Sequence, residues 1–499
     1  MAIKRYIADQ DNTITNAYKA NLTSRGVSGN MGQSDIIEVF TIYGQESSTS
    51  SELCRSLVQF PVDTIATDRT NGDIPASGSV SFYLRLFNAE QSQTTPRNFI
   101  LSVNAVSLSW AEGLGLDMEE YSDIGASNWI TASSSPIVKW ATEGGDYYTD
   151  ASSSFSQSFD TGLEDMELDI SSLVEQWISA SNGSVASTDD LGSKTNFGVG
   201  IQLTASQEDE TTSYYTKKFF ARGSQYYFKR PILEARWDSS KQDDRNNMYL
   251  SSSMVPASDN LMKLYLYNIV RGQLTNIPVI DTGDLLVSLY SGTLLNAAPS
   301  GSKIGLALGG GTVADGDLNT TASYVEAGIY SCSFAYTSSA ITTIFDVWHR
   351  PSDGLQYHTG SGMPIKTYNS ADFNFDQKYV SNITNLRDIY STQETTRFRL
   401  YVRKKNWSPN IYTVASNAIP NTTIANAYYR ISRVSDDFKV VPYGTGSTNQ
   451  TKMSYDVSGS YFDFDMSMLE TDTVYAINLA YKINGKYVQQ PEEFRFRVE

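Results

Sequence analysis

The sequence predicts an all-β protein, with a large jelly-roll-like β-sandwich followed by two smaller immunoglobulin-like β-sandwiches. Three observations predict it. Aromatic residues reach 12%, including 32 tyrosines, beside abundant Ser, Thr, Asn and Gly, and tyrosine and threonine suit the half-buried face of a sheet. Apolar residues recur with a period of two in short runs bounded by Gly- and Ser-rich turns, as at Val80–Phe87 and Ile232–Trp237. No long stretch carries the 3.6-residue period of an extended helix. A chain of 499 residues is too long for one core. Composition shifts divide it into an N-terminal arm (1–33), the large sandwich (34–240), a second sandwich with an irregular tail (241–385) and a third (386–499).

Taken in order, residues 1–33 are polar and Gly/Asn-rich, and read as an extended arm with one short strand. Ile36–Tyr43 is apolar on both faces, the pattern of a central strand. Ser56–Phe60 reads as a strand that stops at Pro61. Val80–Phe87 and Phe99–Ala105 are expected to pair as an antiparallel hairpin with a long loop. Trp110, Trp129 and Trp140 fall in Gly/Ser-rich loops. Met166, Leu168 and Ile170 then alternate with Glu167 and Asp169 as a half-buried strand. The spacing of Ser172 and Glu175 predicts a capping box. It opens a short helix whose Leu173, Val174, Trp177 and Ile178 share one apolar face, and Trp177 is expected to plug the sandwich. A flexible loop is expected over 179–190. Phe197–Leu203 carries Gly198 and Gly200 on one face, where some other group approaches the backbone closely. Tyr215–Phe220 and Pro231–Trp237 close the unit, with Trp237 a second structural indole.

Beyond the charged stretch at 239–247, short strands are predicted at Leu285–Leu289, Ile304–Leu308, Ile329–Tyr336 and Ile344–Trp348, with 349–385 irregular. Gly309–Gly311 lacks a following Gly-Lys-Ser/Thr and a helix, so it reads as a turn and not as a phosphate loop. Arg397–Val402, Tyr475–Tyr481 and Phe494–Val498 build the third unit. The last of these alternates apolar and basic residues, as a closing edge strand does.

A formal net charge of −17 repels phosphate backbones and argues against nucleic-acid binding. Cys54 and Cys332 lie far apart in sequence and read as buried thiols, with no CxxC to hold a metal. The opening residues lack a signal-peptide core, and no 18-residue apolar run occurs, which predicts synthesis in a cytoplasm, no export and no membrane span.

Candidate chemistry is sparse. His349 and His358 are expected to be polar loop residues, since neither a zinc spacing nor a GxSxG elbow accompanies them. Asp9, Asp11 and Asn12, and Asp315 and Asp317, resemble fragments of calcium loops without their final glutamate. Glu112, Glu119, Glu120 and Asp123 lie near tryptophans and are the carboxylates a glycoside hydrolase would draw on. Trp110, Trp129 and Trp140 are read as covers for the sandwich or, in the sharper alternative, as platforms for stacking sugars. Arg397, Arg399, Arg403, Lys404 and Lys405 stand out against the acidic whole as a solvated strand face or a docking surface for an acidic partner. No cofactor and no catalytic residue is predicted.

Four of these features occur together: Trp110–Gly113, Asp169–Trp177, Asn196–Val199 and Arg230–Leu233. In that order they resemble the DNRLRE family of carbohydrate-binding-like β-sandwiches over roughly 34–238. The whole chain also resembles virion structural proteins of tailed bacteriophages of marine and cyanobacterial hosts, in its opening MAIKRYIADQDNTITNAYK, its YYTKKFFARGS and IFDVWH segments and its FRFRVE end. The resemblance implies a non-enzymatic particle component in a neck, collar or tail accessory position. It would be assembled in the host cytoplasm in several copies, with other virion proteins (portal/neck, tail or capsid) as partners. A glycan-binding host-attachment module and a polysaccharide depolymerase are the alternatives.

Overall fold

The computed structural model describes residues 2–92, 94–120, 126–181, 193–292, 303–311, 318–366, 377–407 and 421–499. Strands account for 43% of the chain and helix for 9%, so the fold is all-β. It divides into two compact units, Met1–Asp238 with Thr445–Gln450, and Ser239–Gly444 with Thr451–Glu499.

The first unit is a sandwich of two antiparallel sheets. Its thirteen strands are β1 (Ile3–Ile7), β2 (Gln10–Thr15), β3 (Ile36–Tyr43), β4 (Ser51–Gln59), β5 (Ser81–Leu86), β6 (Phe99–Ala105), β7 (Thr131–Ser134), β8 (Ile137–Lys139), β9 (Ser154–Phe159), β10 (Met166–Asp169), β11 (Val199–Leu203), β12 (Tyr214–Phe220) and β13 (Ile232–Arg236). One sheet has the order β1-β13-β5-β10. The other runs β12-β3-β4-β11-β6-β9 with β2 also paired to β4, and β7 and β8 form a separate hairpin. Period-two alternation sends Ile37, Val39, Leu101, Val103, Val199 and Ile201 inward from the larger sheet against Phe82, Leu84, Leu233 and Ala235 of the smaller.

Two expectations change here. Residues 1–33 are not an arm. β1 pairs β13 from Ile3↔Arg236 to Ile7↔Ile232, and β2 pairs β4 from Gln10↔Gln59 to Thr15↔Cys54. The scattered apolar residues that carried no helical period are sheet positions, with Ile3, Tyr6 and Ile14 buried. β5 and β6 do not form a hairpin either. β5 lies between β13 and β10, whereas β6 lies between β11 and β9 in the other sheet. Alternation fixes which face of a strand is apolar, but not which edge it meets.

Two short helices pack into the same core. The first, α1 (Val62–Asn71), was not foreseen. It starts after Pro61, buries Val62, Ile65 and Ala66, and stops at Gly72 in the left-handed region. The second, α2 (Ser171–Ser181), buries Leu173, Val174, Trp177 and Ile178 in that core. The predicted capping box does not form. Ser172 Oγ donates to the Ser152 carbonyl at 3.1 Å, while Glu175 takes both arms of Arg69 on α1 at 2.5 and 2.7 Å. A bidentate charged partner outcompetes a local backbone N–H. The flexible loop expected over 179–190 falls mostly outside the described residues.

In the second unit, an eight-stranded sheet gathers Met248–Tyr249, Met262–Tyr267, Leu285–Gly292, Thr320–Glu326, Ile329–Phe334, Thr343–His349, Gln356–Thr359 and Met363–Lys366. Two four-stranded sheets follow, holding Thr395–Lys404 and Gly459–Asp465 in one and Thr473–Ile483 and Lys486–Val498 in the other. Their core is aromatic, with Tyr429 stacked on Phe462 at 4.0 Å between ring centroids. Residues 349–385 are less irregular than expected, since three strands fall within them. Residues 304–308 form no strand, only an isolated bridge from Ala307 to Ala335. The final strand is not a bare edge, because Ile389–Tyr390 pairs with it at Arg497 and Val498. Residues 241–385 and 386–499, apart from Thr445–Gln450, fall in one unit. The segment after Ser239 runs along Ser454–Asp456, with Tyr455 N–H donating to the Lys241 carbonyl and Asp243 N–H to the Tyr455 carbonyl.

Candidate functional site

The outer face of the larger sheet of the first unit is covered by the loops between β6 and β9. Ile14, Leu57 and Val106 project from the sheet, and Trp110, Trp129 and Trp140 descend onto them as a second small core. The three indoles are 5%, 4% and 5% exposed. Trp110 Nε1 donates to the Phe197 carbonyl and Trp140 Nε1 to the Asn128 carbonyl, both at 2.8 Å, and Arg55 lies over Trp129 at 5.2 Å. No indole face is free to stack on a sugar, so the platform reading is corrected: the rings cover the sheet. Apolar burial explains why, since a large aromatic on a loop gains more from an adjacent sheet face than from water.

Polar residues fasten this cover. Asn12 Nδ2 donates to Ser127 Oγ at 2.8 Å and Asn30 Nδ2 to the Glu112 carbonyl at 2.7 Å. Glu112 takes Arg222 at 2.9 and 2.6 Å and the Asp11 N–H at 3.0 Å. Asp11 accepts the Arg222 N–H at 2.5 Å, and burial, with the Glu112 charge nearby, pushes its carboxyl up to about 7. Of the residues that resembled a first calcium-loop fragment, Asp11 and Asn12 are thus strand residues spent on structural bonds, and Asp9 lies in the bend between β1 and β2. Gly198 and Gly200 meet the close approach foreseen. A Cβ on Gly200 would lie 2.0 Å from the Tyr147 ring and one on Gly198 2.2 Å from the Val58 carbonyl.

Beside the cover lies the candidate site, a pocket of about 760 Å³ over β2, β3 and β4, closed on one side by residues 116–118. Phe40, Ile42 and Met118 give it an apolar wall, with Tyr215 edge-on to Phe40 at 5.4 Å. Among the described residues, three carboxylates line it, Glu38, Glu52 and Asp117, and no Lys, Arg or His. Lys218 pairs with Glu38 at 2.7 Å, and Asp117 Oδ1 accepts the Glu119 and Glu120 N–H groups. Glu52 differs. It is 1% exposed, its Oε2 accepts the Tyr18 N–H at 2.8 Å, and its Oε1 has no partner among the described residues. Cys54, also lining the pocket, is held well above the usual thiol range by burial, so it stays protonated.

The remaining candidates scatter. Glu112 is committed to Arg222, and Glu119 accepts the Ala20 N–H at 2.6 Å; Asp123, Asp315 and Asp317 lie outside the described residues. His349 and His358 are strand residues, not loop residues, and because His358 pairs with Trp348 they do not converge. His349 Nε2 and Ser288 Oγ lie 2.8 Å apart. Ser288 is fully buried, and His349 Nδ1 has no partner among the described residues, so the pair lacks both the access and the acid of a triad. Among the described residues no three His, Cys, Asp or Glu side chains converge to hold a metal.

The basic cluster divides. Arg397 binds Asp463 at 2.7 and 2.9 Å and Arg399 binds Asp456 at 3.0 and 2.9 Å, both over the Tyr461 ring. Arg403, Lys404 and Lys405 have no carboxylate partner among the described residues. Trp177 and Trp237 both lie in the main core. Sequence reasoning missed Lys217, which is 1% exposed on β12 and donates to Asn88 Oδ1 and the Gly162 and Glu164 carbonyls at 2.6, 2.9 and 2.7 Å. It also missed Glu52; both are charged residues on strands where alternation called for a buried side chain.

No family model matches the chain, and no curated protein does. Among solved structures, it is similar to E. coli alpha-2-macroglobulin in its native conformation, with 8% identity, TM-score 0.15, and 98% of this chain against 28% of that one. It is also similar to the BSP domain of a biofilm-associated protein, with 9% identity, TM-score 0.16, and 96% of this chain against 69% of that one. At such TM-scores neither likeness carries an argument about fold or function.

Proposed function

We propose that this protein is a non-enzymatic structural component of a tailed phage particle, a neck, collar or tail accessory protein that docks in several copies on a symmetric ring. The observation that carries the reading is how the charged groups of the sandwiches are spent. Glu112 on Arg222, Glu175 on Arg69, Asp463 on Arg397 and Asp346 on Arg245 hold loops and strands in place. A scaffold needs such internal ties, whereas a catalyst keeps a reactive group open to substrate. The resemblance of the opening, YYTKKFFARGS, IFDVWH and FRFRVE segments to virion proteins supplies the setting. Arg403, Lys404 and Lys405 are the residues proposed to meet an acidic partner subunit.

Purified particles provide the test. The protein should be present in fixed stoichiometry, in density touching portal, neck or tail proteins, and its absence from washed particles would sink the reading. Charge reversal at Arg403, Lys404 and Lys405 together should lower incorporation without changing the unfolding temperature. The glycan-attachment alternative loses its stacking residues with the burial of Trp110, Trp129 and Trp140.

A further inference from the structure

We propose that the pocket over β2, β3 and β4 binds a small organic cation, an ammonium or guanidinium group on an apolar body. The inference is independent of the particle role. At about 760 Å³ the space matches the usual range for small-molecule sites. Its wall sorts ligands by charge, because among the described residues the lining carries three carboxylates and no basic side chain. Two of the three are already occupied, Glu38 by Lys218 and Asp117 by two backbone N–H groups. Glu52 keeps a buried carboxylate oxygen without a donor and has no ion pair among the described residues. Leaving such an oxygen unsatisfied costs about 1–3 kcal/mol, more when it is charged, and a bound N–H donor offsets that cost.

The body of the ligand is set by the rest of the wall. Phe40, Ile42 and Met118 offer an apolar surface, and the half-exposed Tyr215 ring at the rim favours a cation passing over its face. The thioether of Met118 has three rotatable bonds and adapts to the ligand's shape. A metal ion fits less well, since among the described residues no three ligating side chains converge there.

The test is calorimetric titration of the full-length protein at low salt with phenethylamine and cyclohexylamine. Phenethyl alcohol and 3-phenylpropionate serve as neutral and anionic counterparts. Saturable binding of the amines at one per chain is expected, weakening as salt rises, about tenfold weaker for the alcohol and absent for the acid. Glu52→Gln should lose about tenfold or more in amine affinity while keeping or raising the unfolding temperature. Ile42→Trp, which fills the pocket from β3, should abolish binding with the fold intact, and it carries the test alone if Glu52→Gln fails to fold. The proposal is overturned if neither amine saturates at millimolar concentration, if the acid binds as well as the amine, or if a folded variant binds like the parent.

Discussion

Replacing Lys217 by Met removes a buried ammonium while keeping the stem that carries it. In the parent protein the Nζ is enclosed between the Phe159 and Phe219 rings, 5.1 and 4.8 Å away, and its three protons meet three oxygens. Two of those oxygens are carbonyls of the 162–164 turn, so one side chain ties that turn and Asn88 to β12. Met strands the three acceptors at about 1–3 kcal/mol each where water cannot replace the donor. Part of that is returned because the ammonium no longer has to be desolvated. The net loss is about 3 kcal/mol, or roughly 6–12 °C for a unit of this size. Burial lowers the Lys217 pKa from 10.5 to about 8. Between those values the unfolded chain binds more protons, so parent stability should rise with pH and the gap to Lys217→Met should widen. Thermal unfolding followed by tryptophan emission reads mainly the first unit, which holds five of the seven tryptophans. A variant as stable as the parent, with an ordered 162–164 turn, would refute the reasoning and make the buried ammonium a net cost.

Trp177→Ala should cost about 3–5 kcal/mol, because the indole is 1% exposed in the main core; chemical denaturation measures it, and a loss below about 1 kcal/mol would remove the plug reading. Gly200→Ala should destabilise the first unit by overpacking, by about 1–3 kcal/mol, since its methyl would sit 2.0 Å from the Tyr147 ring. A companion Tyr147→Leu change should recover part of that loss. Asp11, with its carboxyl raised to about 7, holds a proton in the folded state that the unfolded chain has released above roughly pH 4. Its contribution is therefore fully present below about pH 4 and is lost as pH rises through 7. Asp11→Asn should flatten that slope in a pH series of unfolding curves, and an unchanged slope would place the titration elsewhere.

The all-β class and the strands that line the main core, such as Ile36–Tyr43, Val80–Phe87 and Ile232–Trp237, were legible in the linear chain, because period-two alternation is local and each strand carries its own record of which face is buried. The sequence by itself also predicted a close approach at Gly198 and Gly200, the helix with Trp177 on its apolar face, and a boundary near residue 239. Tertiary structure decided what lies through space. It sent β5 and β6 to different sheets, drew residues 1–33 into both, gave Glu175 to Arg69, and folded three tryptophans onto the outer face of a sheet. It also decided the pocket, which exists because the loop cover reaches Ile14 and Leu57 but leaves Phe40 and Ile42 beneath an open space. A carboxylate such as Glu52 reads in sequence as one polar residue in a strand. Only its enclosure between β2 and β3, with one oxygen lacking a donor, makes it a candidate for binding, because desolvation and hydrogen bonding depend on neighbours that the linear chain keeps apart.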